Sequence, residues 1–248
     1  MKKILNIPQY FRHITLFSEL LPFVFLLIFL KRISGKDKWL FFYYAGLTTI
    51  LAILVFIFRN VYPSKESFYL VIRLHNLMEF SLVTFIFSFS IAKKILKKII
   101  RFSIIPFSLL CIIDYLVSST LDLAYIPLII ESLFFIVLII YFFFEKIKEE
   151  ASEPLFNNFI FWFAVAFLIN FAGNFLLYVY SETAIKDKEY YSNYDFIYTI
   201  VTILKNILLC IAAIIKVPLK PKAGLYDSLI PESNFKDILN TRNPNNIK

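Results

Sequence analysis

Apolar residues gather in seven long stretches along this chain, at about 12–30, 39–58, 68–92, 99–118, 123–144, 158–180 and 194–215. Each is close to the roughly 20 residues that carry a helix across a bilayer. Polar and basic residues collect in the connections between them. The pattern predicts an all-α fold, a seven-transmembrane helix bundle that takes up residues 1–216 as one membrane domain. Pro218, Pro221, Gly224 and Pro231 stop the last helix, since proline lacks the N–H that a helix interior requires. Residues 217–248 then form a short tail, in which Ser233 or Asn234 can cap a short helix over 235–239 and residues 240–246 read as disordered. A tail of that size has no room for a kinase, cyclase or DNA-binding domain; it is either a frayed end or a docking peptide for a cytoplasmic partner.

Composition supports the membrane reading: 59% of residues are hydrophobic, 30 are Phe, and the mean hydropathy is +0.72. A soluble domain of this length cannot hide that much apolar surface. With four glycines and two tryptophans the chain holds no glycine-rich phosphate loop and no strong tryptophan belt. The basic start does not read as a cleaved leader, because its charges run to Arg12 and Lys31 and Arg32 close the first stretch as they would an anchored helix.

Charge sets the expected orientation. The first, third and fifth connections carry Lys31, Arg32, Lys36, Lys38, Lys93, Lys94, Lys97, Lys98, Arg101, Lys146 and Lys148; the alternate ones carry Arg59, Lys65, Lys186 and Lys188. Lys and Arg are retained on the cytoplasmic side, which predicts the N-terminus outside and the C-terminus in the cytoplasm of a multi-pass protein of the cytoplasmic (inner) membrane of a bacterium. Lys2, Lys3 and Arg12 then lie outside, against the rule. Anionic headgroups account for the basic connections, and the chain shows no basic soluble face for nucleic acid. The expected partners are the lipid bilayer and a membrane or cytoplasmic signalling protein reached through the tail.

Ionisable and amide side chains inside the apolar stretches carry the functional information, because a charge in hydrocarbon is costly and usually faces the bundle interior with a partner. They are Glu19; Arg73, His75, Asn76 and Glu79; Asp114; Glu131; Asn170 and Asn174; and Lys205 with Asn206. At 1.5 Å rise per residue, most fall in one layer in the outer half of the bundle. We take Glu19, His75, Asn76, Glu79, Glu131, Asn170, Asn174 and Lys205 as candidate ligand- or proton-binding residues. His75 and Glu79 are four apart and share a helix face; a carboxylate beside an imidazole fixes its tautomer and couples to its proton, and the same pair also suits a structural network. Asn170 and Asn174 repeat the spacing around Gly173, which allows a neighbour close. Lys205 reads as the counter-ion of Glu79 or Glu131. No metal is expected, since the other histidine, His13, sits at a span end, and Cys111 and Cys210 read as packing residues.

A lysine in the middle of a seventh helix invites comparison with microbial rhodopsins, but the position four residues earlier, an aspartate in those proteins, is Val201, and the segment 163–167 lacks their pocket tryptophan and proline. No cofactor is therefore expected. The elements His75-Asn76-Leu77-Met78-Glu79-Phe80, Phe161-Trp162 with Asn170 and Gly173-Asn174, and Lys205-Asn206-Ile207-Leu208 resemble a group of uncharacterised seven-span bacterial membrane proteins. That resemblance implies the topology and the choice of residues and carries no function. Three functions stay open: a sensor or receptor-like module with an outward polar pocket, a small-molecule or proton-coupled transporter, and an intramembrane enzyme acting on a lipid. The last is the weakest, as there is no nucleophile motif or metal cluster.

Overall fold

The computed structural model describes residues 7–30, 35–60, 65–117, 125–148, 155–184 and 188–215. They form eight α-helices: α1 Ile7–Ile28, α2 Lys36–Asn60, α3 Lys65–Ser90, α4 Lys94–Phe102, α5 Ile104–Val117, α6 Tyr125–Lys148, α7 Phe159–Ala184 and α8 Lys188–Ile214. A 3-10 turn at Leu155–Asn157 leads into α7, whose first turn is capped by Asn158 Oδ1 accepting the Ile160 N–H at 3.1 Å. The chain divides into two units, Met1–Val217 and Pro218–Lys248. The expected tail helix and the rest of residues 216–248 lie outside the described residues.

Six segments are long and apolar enough to cross a membrane: Lys36–Phe58, Ser67–Ser90, Lys94–Val117, Tyr125–Lys148, Phe159–Val179 and Phe196–Ile214. Their 19 to 24 residues span roughly 28–36 Å, matching about 30 Å of hydrocarbon. The apolar helix His13–Ile28 is shorter. Large apolar side chains face outward along the bundle, Phe17 at 68%, Leu116 at 74% and Val117 at 82% exposure, as lipid contact requires. The chain is a multi-pass membrane protein.

Several helix boundaries differ from the sequence reading: α1 starts at Ile7, α7 runs on to Ala184 and α8 starts at Lys188, and a further helix occupies an expected connection. Residues 93–98 were expected to connect spans three and four, yet helix begins at Lys94. Lys, Leu and Arg are good helix formers and this stretch contains no Gly or Pro, so its charges do not prevent it from winding. The interruption instead falls at Ser103, three residues before Pro106. A proline at 106 has no N–H for the carbonyl of Phe102 and is accommodated in the first turn of a new helix, α5. Ser103 bridges the break, its hydroxyl donating to the Ile100 carbonyl at 2.6 Å.

Each helix packs on its neighbours in sequence, and α8 closes the bundle by packing on both α1 and α7. A face of α7 rich in Phe and Ala packs into the interior of the bundle. Phe163, Ala164, Ala166 and Phe167 are all fully buried, with Phe163 reaching Phe41 on α2 and Phe87 on α3 at 5.5 and 5.8 Å between ring centroids. Phenylalanines fill the half of the bundle near the start of α2 and α7: Phe41, Phe87, Phe142 and Phe159 are buried with Phe163. Lipid offers apolar side chains no worse a solvent than the core does, so this plug is held by close packing and ring contacts rather than by escape from water.

Candidate functional site

The opposite half of the bundle holds the polar residues, and Glu79 is their hub. On α3 the helical repeat stacks His75 one turn from Glu79 on the same face, with Nδ1 3.7 Å from Oε2. From α2, the Tyr44 hydroxyl donates to Glu79 Oε1 at 2.8 Å. From α8, Lys205 Nζ comes within 4.0 Å of the same oxygen. Three helices thus aim a donor or cation at one carboxylate that is 9% exposed. Glu19 on α1 lies within electrostatic reach of Lys205, His75 and Glu79. Beside it Ser18 accepts from Asn206 Nδ2 at 3.0 Å and donates to the Thr15 carbonyl at 2.7 Å. Glu19, Pro22, Tyr44, His75, Lys205 and Asn206 border a recess with room for about one water molecule. Pro22 leaves the Ser18 carbonyl without its helical donor, adding a backbone acceptor on α1 at this level.

The other expected residues sort into two places. Glu131 on α6 is 2% exposed and within electrostatic reach of Glu79 and Lys205. On α7, Asn174 Nδ2 donates to Asn170 Oδ1 at 3.1 Å, joining the two amides along one face. Asn76 is buried on α3 and does not border the recess. Arg73 and Asp114 form a separate pair between α3 and α5, 3.6 Å apart, with the guanidinium 5.2 Å from the Tyr115 ring centroid. His13 is exposed and stands by the Phe56 ring, 6.0 Å away. Among the described residues no group of three His, Cys, Asp or Glu side chains is placed to hold a metal ion.

Counting the charges around Glu79 shows what this arrangement can do. Three carboxylates, Glu19, Glu79 and Glu131, share Lys205, and His75 stands by Glu19 and Glu79. With every acid ionised and the imidazole neutral, the cluster carries an excess of negative charge in a medium that tolerates none. Added positive charge is the simplest remedy, and a water-sized recess admits a proton or a hydrated proton far more readily than an organic molecule, whose pockets run to several hundred Å³.

Two residues here escaped sequence reasoning. Tyr44 supplies the shortest bond to Glu79; the available signal was a tyrosine in mid-span, whose hydroxyl needs a partner in hydrocarbon. Lys38 was counted among the charges of the first connection, yet it is fully buried. Its ammonium donates to the Ile215 carbonyl at the end of α8 and stands 5.9 Å from the Phe159 ring centroid. It caps the negative end of the α8 dipole and ties the start of α2 to the end of the helix that carries Lys205.

Comparison with protein-family models, with curated protein sequences and with solved structures returned no match.

Proposed function

We propose that this chain is a seven-span protein of the cytoplasmic membrane, with its N-terminus outside and its C-terminal tail inside, whose Glu79-centred cluster is the proton-responsive centre of a sensor or receptor-like module. The observation that carries the reading is the convergence of Tyr44, His75 and Lys205 on Glu79 from three helices at a recess of water size. Histidine is the side chain whose charge ordinarily changes between about pH 5 and pH 8. A charge change there alters the attraction among α1, α2, α3 and α8 together, and through α8 it reaches the end that Lys38 holds and the tail of residues 217–248. Residues 1–216 are then the sensing domain and the tail the contact for a separate signalling partner.

The charge excess favours a second reading, a proton-coupled carrier, in which the same acids pass protons on. Carriers commonly place their sites on interrupted helices; here the helices that bear the cluster, α1, α2, α3, α6, α7 and α8, run without interruption.

The test uses the full chain in liposomes. Between about pH 5 and pH 8 the wild type should change conformation, read as amide hydrogen exchange at the ends of α2 and α8. Glu79→Gln, which removes charge but little volume, and His75→Asn, which removes the imidazole, should still fold, Glu79→Gln with lower stability because Lys205 loses its nearest carboxylate, and both should lose the change. Two well-folded variants that respond as the wild type does would overturn the proposal. A pH dye inside the same liposomes separates the two readings: a carrier acidifies the lumen under an imposed membrane potential and a sensor does not.

Orientation is tested independently. Reporters fused at Ser64 and Lys222 should lie on opposite sides of the membrane, with Lys222 in the cytoplasm; the same side for both sinks the seven-span arrangement.

A further inference from the structure

Helices α6 and α7 pack on each other, and each holds one buried oxygen acceptor without a donor among the described residues. Glu131 is 2% exposed and Asn174 3%; Glu131 Oε1 and Asn174 Oδ1 have no hydrogen-bond partner among the described residues. Ring contacts fix how the two helices run past each other. Phe143 meets Phe161 at 5.7 Å between centroids, and Phe135 stacks on Phe171 at 4.7 Å with the rings 15° apart. Carried one turn further, this antiparallel register sets Glu131, four residues before Phe135, level with Asn174, three residues after Phe171. Both positions lie on the same helix faces as the stacked rings. The amide of Asn174 is held in place by its Nδ2 donating to Asn170 Oδ1, which leaves its oxygen as the group to be satisfied.

A buried acceptor without a donor is destabilising, and two opposed acceptors add repulsion. One hydrogen on Glu131 removes both penalties, because the carboxylic acid O–H is a donor and the carboxylate has none. The surrounding charges agree. Glu131 faces Glu79 on α3, and the nearby lysine on α8, Lys205, is already within 4.0 Å of Glu79. Among the described residues, Tyr44 on α2, Cys111 on α5 and Tyr178 on α7 also lie within its electrostatic reach, and none of these three is a cation in any protonation state; the Arg73–Asp114 pair flanks Cys111.

We propose that Glu131 is a proton-binding site, a neutral carboxylic acid whose O–H donates to Asn174 Oδ1. Loading takes one proton from water onto the carboxylate, and release returns the same proton to water. This deepens the proton-responsive reading of the cluster by naming where its proton resides and which amide receives it.

Infrared spectroscopy of the full chain in liposomes at about pH 8 tests the site without any assay of activity. Exposed carboxyl groups have ordinary pKa values near 4 and are ionised there, so a carboxylic acid C=O band reports a buried acid. The band should be present in the wild type, absent in Glu131→Gln, retained in Glu79→Gln, and moved to higher frequency in Asn174→Leu, where the acid loses its acceptor. Glu131→Gln should also leave the unfolding midpoint within a degree or two of the wild type, because the Gln amide donates to Asn174 as the acid does. An acid band that survives Glu131→Gln, or no band in the wild type together with a large fall in stability of Glu131→Gln, would overturn the proposal; the latter is the signature of an ionised Glu131 held by Lys205. The spectrum and the pH-driven hydrogen exchange are separate readouts, so the band can belong to Glu131 while the sensor reading fails, and the converse holds as well.

Discussion

Replacing Lys205 with Met is expected to destabilise the bundle by about 3–5 kcal/mol, the cost of removing one member of a buried ion pair. Met keeps the length and apolar stem of lysine, so the loss isolates the charge. Lys205 is 8% exposed and its ammonium lies 4.0 Å from Glu79 Oε1, where two unit charges attract by about 4 kcal/mol at an effective dielectric of about 20. Without it, Glu79 keeps the Tyr44 hydroxyl and His75, and the excess of acid in the cluster grows by one charge. Lys205→Met combined with Glu79→Gln should regain a large part of the loss, because neither charge is then left alone. The measurement is unfolding in mixed detergent and SDS micelles for the wild type, both single variants and the double. Strict additivity, with a coupling below about 0.5 kcal/mol, would show that the two groups do not act as a pair.

That pair was legible in the sequence, and the reason is scarcity. Hydrocarbon admits few charges, so a mid-span lysine had only two carboxylates of similar depth to meet, and the structure selects Glu79 of the two. The helical architecture was legible on the same ground, since apolar stretches of about 20 residues have few other uses. The failures have a common cause as well. Lys38 and Lys94–Arg101 lie at the ends of apolar stretches, where hydropathy reads any lysine as a connection facing water. Lys38 instead turns inward to cap α8, and Lys94 opens a helix; neither choice leaves a mark on hydropathy. Tyr44 was hidden among aromatic neighbours because the chain is rich in Phe, and only the position of its hydroxyl, fixed by how α2 rotates against α3, makes it part of the site. The separate Arg73–Asp114 pair shows the same limit: both residues stood out as intramembrane charges, but that α3 and α5 bring them together depends on packing.

The bundle should be nearly as sensitive to a single carbon at Gly173. Sequence spacing marked this glycine as a place where a neighbour comes close, and the neighbour is Val201 on α8. A Cβ at position 173 would stand 2.6 Å from Val201 Cγ2 and 3.1 Å from Cγ1. Valine in a helix is confined to one χ1 rotamer, so it cannot swing aside and the two backbones must separate. Overpacking of this kind costs about 1–3 kcal/mol, against the nearly 1 kcal/mol that Ala ordinarily gains over Gly inside a helix, so the sign of the result is informative. Within a membrane, close helix approach through small residues is itself a main source of association. Separation at this point also draws Lys205, one turn along α8 from Val201, away from Glu79. Gly173→Ala should therefore lower stability by about 1–3 kcal/mol, and Gly173→Leu should abolish recovery of folded protein. Val201→Ala removes both γ carbons, and the Gly173→Ala, Val201→Ala double variant should be more stable than Gly173→Ala alone. Thermal unfolding in detergent, followed by the exclusion-chromatography peak that survives heating, reads all three, and a Gly173→Ala variant as stable as the wild type would show that α7 and α8 do not meet at this contact.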